Sequence, residues 1–228
     1  MYYYLLINIL AVIIPVLVSF DKRNYFFARW KFLFPAIFIS AVFFVLWDIL
    51  FTSLGIWGFN PRYITGFYIF NLPVEEVLFF ICIPFACVFT YDSLNYLIKK
   101  DYLRHASVPV SYAVATILII TAFMNITKLY TSVTFILTSA FLMFHILYLR
   151  SSWIGRFYFA FIVLLIPFFI INGILTGTFL EEQIVWYDDS MNLSLRIGTI
   201  PIEDMVYGFF LILMNISIFE FLKSSKKY

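Results

Sequence analysis

Long apolar runs alternate with short polar segments along almost the whole chain. A helix needs about 20 mostly apolar residues to cross the hydrocarbon core of a bilayer. Runs of about this length occupy Tyr3–Ser19, Phe32–Phe51, Pro73–Ile98, Val108–Ile126, Thr131–Leu149, Phe157–Thr176 and Ile202–Leu222. The pattern therefore predicts an all-α fold, a polytopic membrane helix bundle with about seven transmembrane helices.

The composition also indicates a membrane protein. Hydrophobic residues make up 64% of the 228 residues and charged residues only 12%, with a mean hydropathy of +0.97. A soluble domain carries about 25% charged residues. The basic residues are scattered over short loops, so we expect no nucleic acid partner. The aromatic share of 22% exceeds what interfacial belts need, and we expect some of these rings to line a binding site.

Lysine and arginine are distributed unevenly between the two ends of the predicted helices. One side holds Lys22, Arg23, Arg29, Lys31, Lys99, Lys100, Arg104, Arg150, Arg156, Lys223, Lys226 and Lys227. The other side holds only Arg62, Lys128 and Arg196. Because cytoplasmic loops carry an excess of Lys and Arg, this asymmetry predicts an integral protein of the cell membrane. Its N-terminus should lie outside and its C-terminus in the cytoplasm.

A short acidic motif occurs at the start of two predicted helices. The segment "NLPVEEVLFF", residues 71–80, returns as "TIPIEDMVYG", residues 199–208. The paired acids at a constant offset are Glu75 with Glu203, Glu76 with Asp204 and, further along, Asp92 with Glu220. The chain therefore contains an internal repeat.

This repeat predicts two parallel three-helix units joined by a linker helix. The units are residues 1–98 and 131–228, and the linker with the fourth span is residues 99–130. A three-span unit repeated directly would be inverted in the membrane, and the additional span restores its orientation. Both acidic pairs should then lie at the same depth, near the extracytoplasmic side, and face a shared cavity.

The acidic pairs are candidates for acid–base chemistry. A structural helix cap is the alternative, because the helix dipole favours a carboxylate in the first turn. An acid within the bilayer costs on the order of 2.5–3.5 kcal/mol on insertion scales, and such residues usually mark a site. Consecutive helical residues point about 100° apart, so one member of each pair should face the cavity. We expect Glu75 and Glu203 to transfer protons, with Glu76 and Asp204 as supporting members.

Other kinds of site are not indicated by the sequence. It has no GxGxxG or P-loop motif, and its acids and two histidines do not form a metal-ligand set. The last span lacks the lysine of a retinal-binding protein, and the paired DxxxD motifs of a membrane prenyltransferase do not occur. We therefore expect no metal and no cofactor.

The sequence resembles the membrane-integral lycopene cyclase family, in the form that fuses two small subunits into one chain. The resemblance rests on "PVEEVLFF" and "PIEDMVYGFF", on "WDILFTSLGIWGFNPRYITGF" before the first motif, and on "NGILTG" and "IVWY" before the second. It implies carotenoid biosynthesis by an isomerase (an intramolecular lyase), a lycopene β-cyclase that forms γ-carotene and then β-carotene. The family's motif acids correspond to Glu75, Glu76, Glu203 and Asp204, with Asp in the second motif where the first has Glu.

The chemistry of such a ring closure agrees with these residue types. An acid protonates the terminal double bond, the next double bond attacks the cation, and loss of a proton leaves the ring. Aromatic faces stabilise a desolvated cation by about 2 kcal/mol. The candidate substrate-binding residues are Trp47, Trp57, Phe79, Phe80, Trp186 and Tyr207. We expect the carotenoid to enter from the lipid bilayer, and other carotenoid-pathway enzymes are candidate partners.

Two alternative functions are compatible with the same features. A cyclase of a fifty-carbon carotenoid would share the motifs, and product analysis separates the two activities. A proton-coupled membrane transporter would also use intramembrane carboxylates in a repeated bundle. It should have helices broken at corresponding places, but Pro84 and Pro167 interrupt the third and sixth spans, which do not correspond.

Overall fold

The computed structural model describes residues 2–225, and 71% of the structure is helical. Within these residues the α-helices are α1 (Tyr3–Val18), α2 (Trp30–Ser53), α3 (Val74–Leu97), α4 (Arg104–Met124), α5 (Leu129–Phe144), α6 (Ile154–Leu175) and α7 (Ile202–Ser224). Each predicted apolar run overlaps one of them over most of its length. The predicted all-α membrane helix bundle is therefore confirmed.

Six of the seven helices are long and apolar enough to cross a membrane. Helix α5, with 16 residues of its own, reaches sufficient length because a π-helical turn, His145–Leu149, continues it. Helix α1 is shorter: its 16 residues extend over roughly 24 Å at 1.5 Å per residue. The hydrocarbon core of a bilayer is about 30 Å thick, so α1 alone does not match it.

The helices of the two halves pack in a corresponding way. Helix α1 contacts α3 as α5 contacts α7, and α2 contacts α3 as α6 contacts α7. Across the halves, α2 also contacts α7 and α6 contacts α3. Helix α4 packs on α5 and α6 at the side of this arrangement. These contacts support the division into residues 1–98, 99–130 and 131–228, which stays a prediction.

An antiparallel ribbon joins the loops of the two halves. Strand β1 (Trp57–Phe59), which follows α2, pairs with β4 (Val185–Tyr187), which follows α6. Gly58 is required at the centre of the ribbon, because a Cβ atom there would lie 2.3 Å from the indole of Trp186. The ribbon covers the end of the bundle at which α3 and α7 begin.

Two short hairpins lead the chain into the acidic motifs. Strands β2 (Tyr68–Ile69) and β3 (Leu72–Pro73) precede α3, and β5 (Arg196–Ile197) and β6 (Ile200–Pro201) precede α7. Their registers correspond, since Pro73 pairs with Tyr68 and Pro201 with Arg196. The turns correspond too, with positive φ angles of 57° at Phe70 and 64° at Gly198. The repeated sequence motif is therefore also a repeated local structure.

The later pair of repeated acids lies at the opposite ends of α3 and α7. Asp92 is buried and accepts a hydrogen bond of 2.9 Å from Arg29. Lys223 lies 3.7 Å from Asp92 and 3.2 Å from Glu220. These ion pairs connect the ends of the two central helices, far from the acidic motifs.

Candidate active site

A cavity of about 490 Å³ lies between α1, α3, α6 and α7 and is bordered by the β1–β4 ribbon. Its lining is mostly aliphatic and aromatic. Three carboxyl groups reach it, those of Asp48 on α2, Glu76 on α3 and Asp204 on α7. No lysine or arginine lines it among the described residues. Burial of three acids in an apolar cavity without a neighbouring cation costs free energy of folding. A group of acids that is retained at such a cost indicates a chemical role.

The two members of each motif pair point in different directions, as expected for consecutive helical residues. Glu76 and Asp204 line the cavity, whereas Glu75 and Glu203 do not. This arrangement differs from the expectation that Glu75 and Glu203 are the proton-transferring members. Both of these residues are fully buried.

Glu75 and Glu203 instead hold the loops that precede their helices. Glu75 Oε1 accepts a hydrogen bond of 2.6 Å from the backbone N–H of Thr65. Glu203 Oε1 accepts one of 2.8 Å from the N–H of Leu193 and another of 2.6 Å from the hydroxyl of Thr131. Each glutamate is ten residues beyond the N–H that it binds. Glu75 and Glu203 therefore hold corresponding loop segments in the two halves.

Glu76 is held by helix α1. The Tyr4 hydroxyl donates a hydrogen bond to Glu76 Oε2. In addition, Asn8 Nδ2 donates to the backbone oxygen of Glu75 at 2.8 Å, which fixes α1 against the first turn of α3. Tyr4 was not among the sequence-predicted site residues, because nothing in a run of apolar residues distinguishes a lining tyrosine from an interfacial one.

Asp204 has two phenolic donors. The hydroxyl of Tyr130, at the start of α5, donates to Oδ1 at 2.6 Å, and that of Tyr187, in the ribbon, donates to Oδ2 at 2.9 Å. Burial and the nearby Asp204 raise the pKa of Tyr187 well above its usual value, so this hydroxyl keeps its proton and donates. Arg196, in the hairpin before α7, is paired with Asp189 at 2.6 Å. Asp204 thus accepts two hydrogen bonds from hydroxyl groups, and such bonds favour a carboxylate.

Asp48 is a further acid of the cavity that was not among the sequence-predicted site residues. It lies in the C-terminal half of α2, is only 3% exposed, and lines the cavity. Tyr207 donates a hydrogen bond of 3.3 Å to its Oδ1 atom. Because Asp48 lies near the end of the predicted apolar run, the sequence favoured a position at the membrane interface. The signal that could have identified it is the free-energy cost of an acid within a long apolar helix, since acids kept there usually mark a site.

The six predicted aromatic residues occupy three kinds of position. Trp57, Phe79 and Tyr207 line the cavity. Trp47 and Phe80 lie outside it, in the buried aromatic cluster around Phe44. The sixth predicted residue, Trp186, packs against Gly58 and remains 42% exposed.

A family comparison completes this description. The model of the lycopene cyclase family matches residues 1–94 and 127–222, which together make up most of the chain. The protein belongs to the lycopene cyclase family. The segment between the two matched ranges contains the whole of α4. No curated protein and no solved structure matches the chain significantly.

In this cyclase the cavity also has a side opening. Leu10 and Ile14 of α1 and Ile170 of α6 line it, yet each is at least 59% exposed on the outer surface of the bundle. The opening therefore lies between α1 and α6, among the exposed apolar side chains of these two helices.

Proposed function

We propose that the protein is a lycopene β-cyclase, which closes the linear ends of lycopene into β-ionone rings and forms γ-carotene and then β-carotene. The observation that carries the proposal is that one carboxyl group from each repeated motif, Glu76 and Asp204, reaches the same apolar cavity. The family membership supports the same substrate class.

The reaction needs only a proton donor and a proton acceptor. A carboxylic acid adds its proton to the terminal double bond and leaves a tertiary cation. The next double bond in line attacks this cation, which forms the ring bond and moves the positive charge into the ring. A carboxylate then removes a proton from the ring carbon beside the new cation, which gives the β double bond. The product is an isomer of the substrate, so no oxidant or reductant is consumed.

The cavity wall is suited to the intermediate cations. Trp57, Phe79 and Tyr207 offer aromatic faces, each worth about 2 kcal/mol to a desolvated cation. The β1–β4 ribbon borders the cavity at the loop end of the bundle, which limits access of water. Water would otherwise capture the cation and give a hydroxylated product.

The substrate would reach the acids from the membrane. The opening between α1 and α6 is lined by aliphatic side chains, so the polyene need not leave an apolar environment. The distribution of Lys and Arg supports a cell-membrane protein with the N-terminus and the acidic motifs on the outer side.

Expression in bacterial cells that accumulate lycopene tests the function. We expect γ-carotene and β-carotene to replace lycopene, and cells that express Glu76→Gln at equal abundance to retain lycopene. Unchanged lycopene in cells that contain the wild-type protein would contradict the proposal. Cells that make an acyclic fifty-carbon carotenoid, tested in parallel, show whether that compound is the one cyclised instead.

A further inference from the structure

The carboxyl groups of Asp48 and Glu76 come from different helices and meet at the cavity. Both side chains line the cavity, and the two carboxyl groups interact with each other there. An ionised carboxylate only accepts hydrogen bonds, so a bond between two carboxyl groups requires a proton on one of them. This contact distinguishes the Glu76 side of the cavity from the Asp204 side, where the partners are tyrosines.

The surroundings of Asp48 favour the protonated form of this residue. No lysine or arginine lines the cavity among the described residues. The other ionisable groups near the pair are Asp204 and the tyrosines Tyr4, Tyr187 and Tyr207, the last of which donates a hydrogen bond to Asp48. Asp48 Oδ2 is buried and accepts no hydrogen bond. An unpartnered carboxylate oxygen is costly to bury, whereas a carboxyl O–H that donates to a neighbour is not.

Glu76 is therefore faced by two O–H donors. Tyr4 donates to its Oε2 atom from α1, and a protonated Asp48 donates from α2. When Glu76 gives up its proton, its new negative charge meets donors that are already in place. Preorganised donors aimed at a developing charge are typically the largest single contribution to catalysis, and a carboxylic acid kept neutral serves as such a donor in other enzymes.

We propose that Asp48 stays protonated and, together with Tyr4, stabilises the Glu76 carboxylate that forms when Glu76 protonates the terminal double bond. Asp204, which accepts hydrogen bonds from two phenolic hydroxyls, is the carboxylate that accepts the proton lost from the ring. Asp48 acts through Glu76 and is a positioning residue. One proton leaves Glu76 and one reaches Asp204, so the step is balanced. The inference rests on the proposed cyclase function.

Two substitutions of Asp48 test this role. Asp48→Leu removes the donor, and we expect kcat for lycopene to fall about 100-fold, the loss typical of one such donor. KM should stay unchanged because the polyene itself needs no hydrogen bond. Asp48→Asn keeps a neutral N–H donor and should restore most of the lost kcat. Purified wild-type and variant proteins in proteoliposomes, at equal protein amounts, give both constants.

Ser40→Ala is the matched control. Ser40 is also a buried polar residue of α2, bonded to Asn215 at 2.7 Å and outside the cavity, so its kcat should be that of the wild type. An Asp48→Leu protein with wild-type kcat would overturn the inference. So would an Asp48→Asn protein as inactive as Asp48→Leu, since a carboxyl proton itself would then be required. A wild-type protein that leaves lycopene unchanged would overturn the proposed function, and this inference with it.

Discussion

At the scale of single residues, adjacent acids have different surroundings. Glu75 and Glu203 bind backbone N–H groups of the preceding loops, and Glu76 and Asp204 line the cavity with hydroxyl donors. The sequence predicts that two neighbours on a helix point apart. It does not predict which of them faces inward, because that choice depends on helix rotation, and the rotation is set by loop contacts.

Conservative substitutions of the motif acids separate these roles. Glu76→Gln and Asp204→Asn keep size and hydrogen-bonding capacity but remove the transferable proton or the base. Since general acid–base groups typically contribute about 10²–10⁴-fold in rate, we expect each variant to lose at least about 100-fold in cyclisation rate. Pigment conversion in membranes with equal amounts of protein measures this loss.

Glu75→Gln provides the internal comparison. Its amide oxygen still accepts the hydrogen bond from the Thr65 N–H, and the side chain lies outside the cavity. We therefore expect near wild-type activity and membrane content. Near-normal activity of Glu76→Gln together with inactivity of Glu75→Gln would reverse the assignment of the two residues.

At the scale of elements, the apolar runs predict the helices well and the loops poorly. Run boundaries and helix boundaries agree within a few residues, because hydropathy determines which segments avoid water. The β1–β4 ribbon was not predicted, since Trp57 pairs with Tyr187 from the other half of the chain. Pairing between such distant short segments leaves no local pattern. Tyr187 became a site residue through its position in this ribbon.

The side opening gives a prediction for two adjacent residues of α1. Ile13 and Ile14 are both exposed, but only Ile14 lines the cavity. A tryptophan in place of Ile14 should narrow the passage between α1 and α6, so we expect kcat/KM for lycopene to fall. Ile13→Trp adds the same bulk outside the passage and should leave kcat/KM unchanged. Equal values for the two variants in proteoliposomes would place the entry route elsewhere.

At the scale of the whole molecule, two similar halves build one asymmetric site. The helix contacts, hairpins and loop-binding glutamates correspond between the halves, and this much follows from the repeated motif. Asp48 has no acidic counterpart at the matching position of the second half, where the sequence "NGILTG" stands. In the proposed mechanism, the different roles of Glu76 as proton donor and Asp204 as proton acceptor therefore depend on this difference between the halves. The orientation of the termini stays a prediction from the charges of the loops.

The central claim is that a carboxyl proton starts the cyclisation. Its most direct test is conversion of lycopene by purified protein that has been equilibrated in heavy water, with the protein in excess over lycopene. Because the donated proton becomes bound to carbon, mass spectrometry should find one deuterium in γ-carotene and two in β-carotene, without added flavin or nicotinamide. Cyclic products that carry no deuterium would contradict the mechanism.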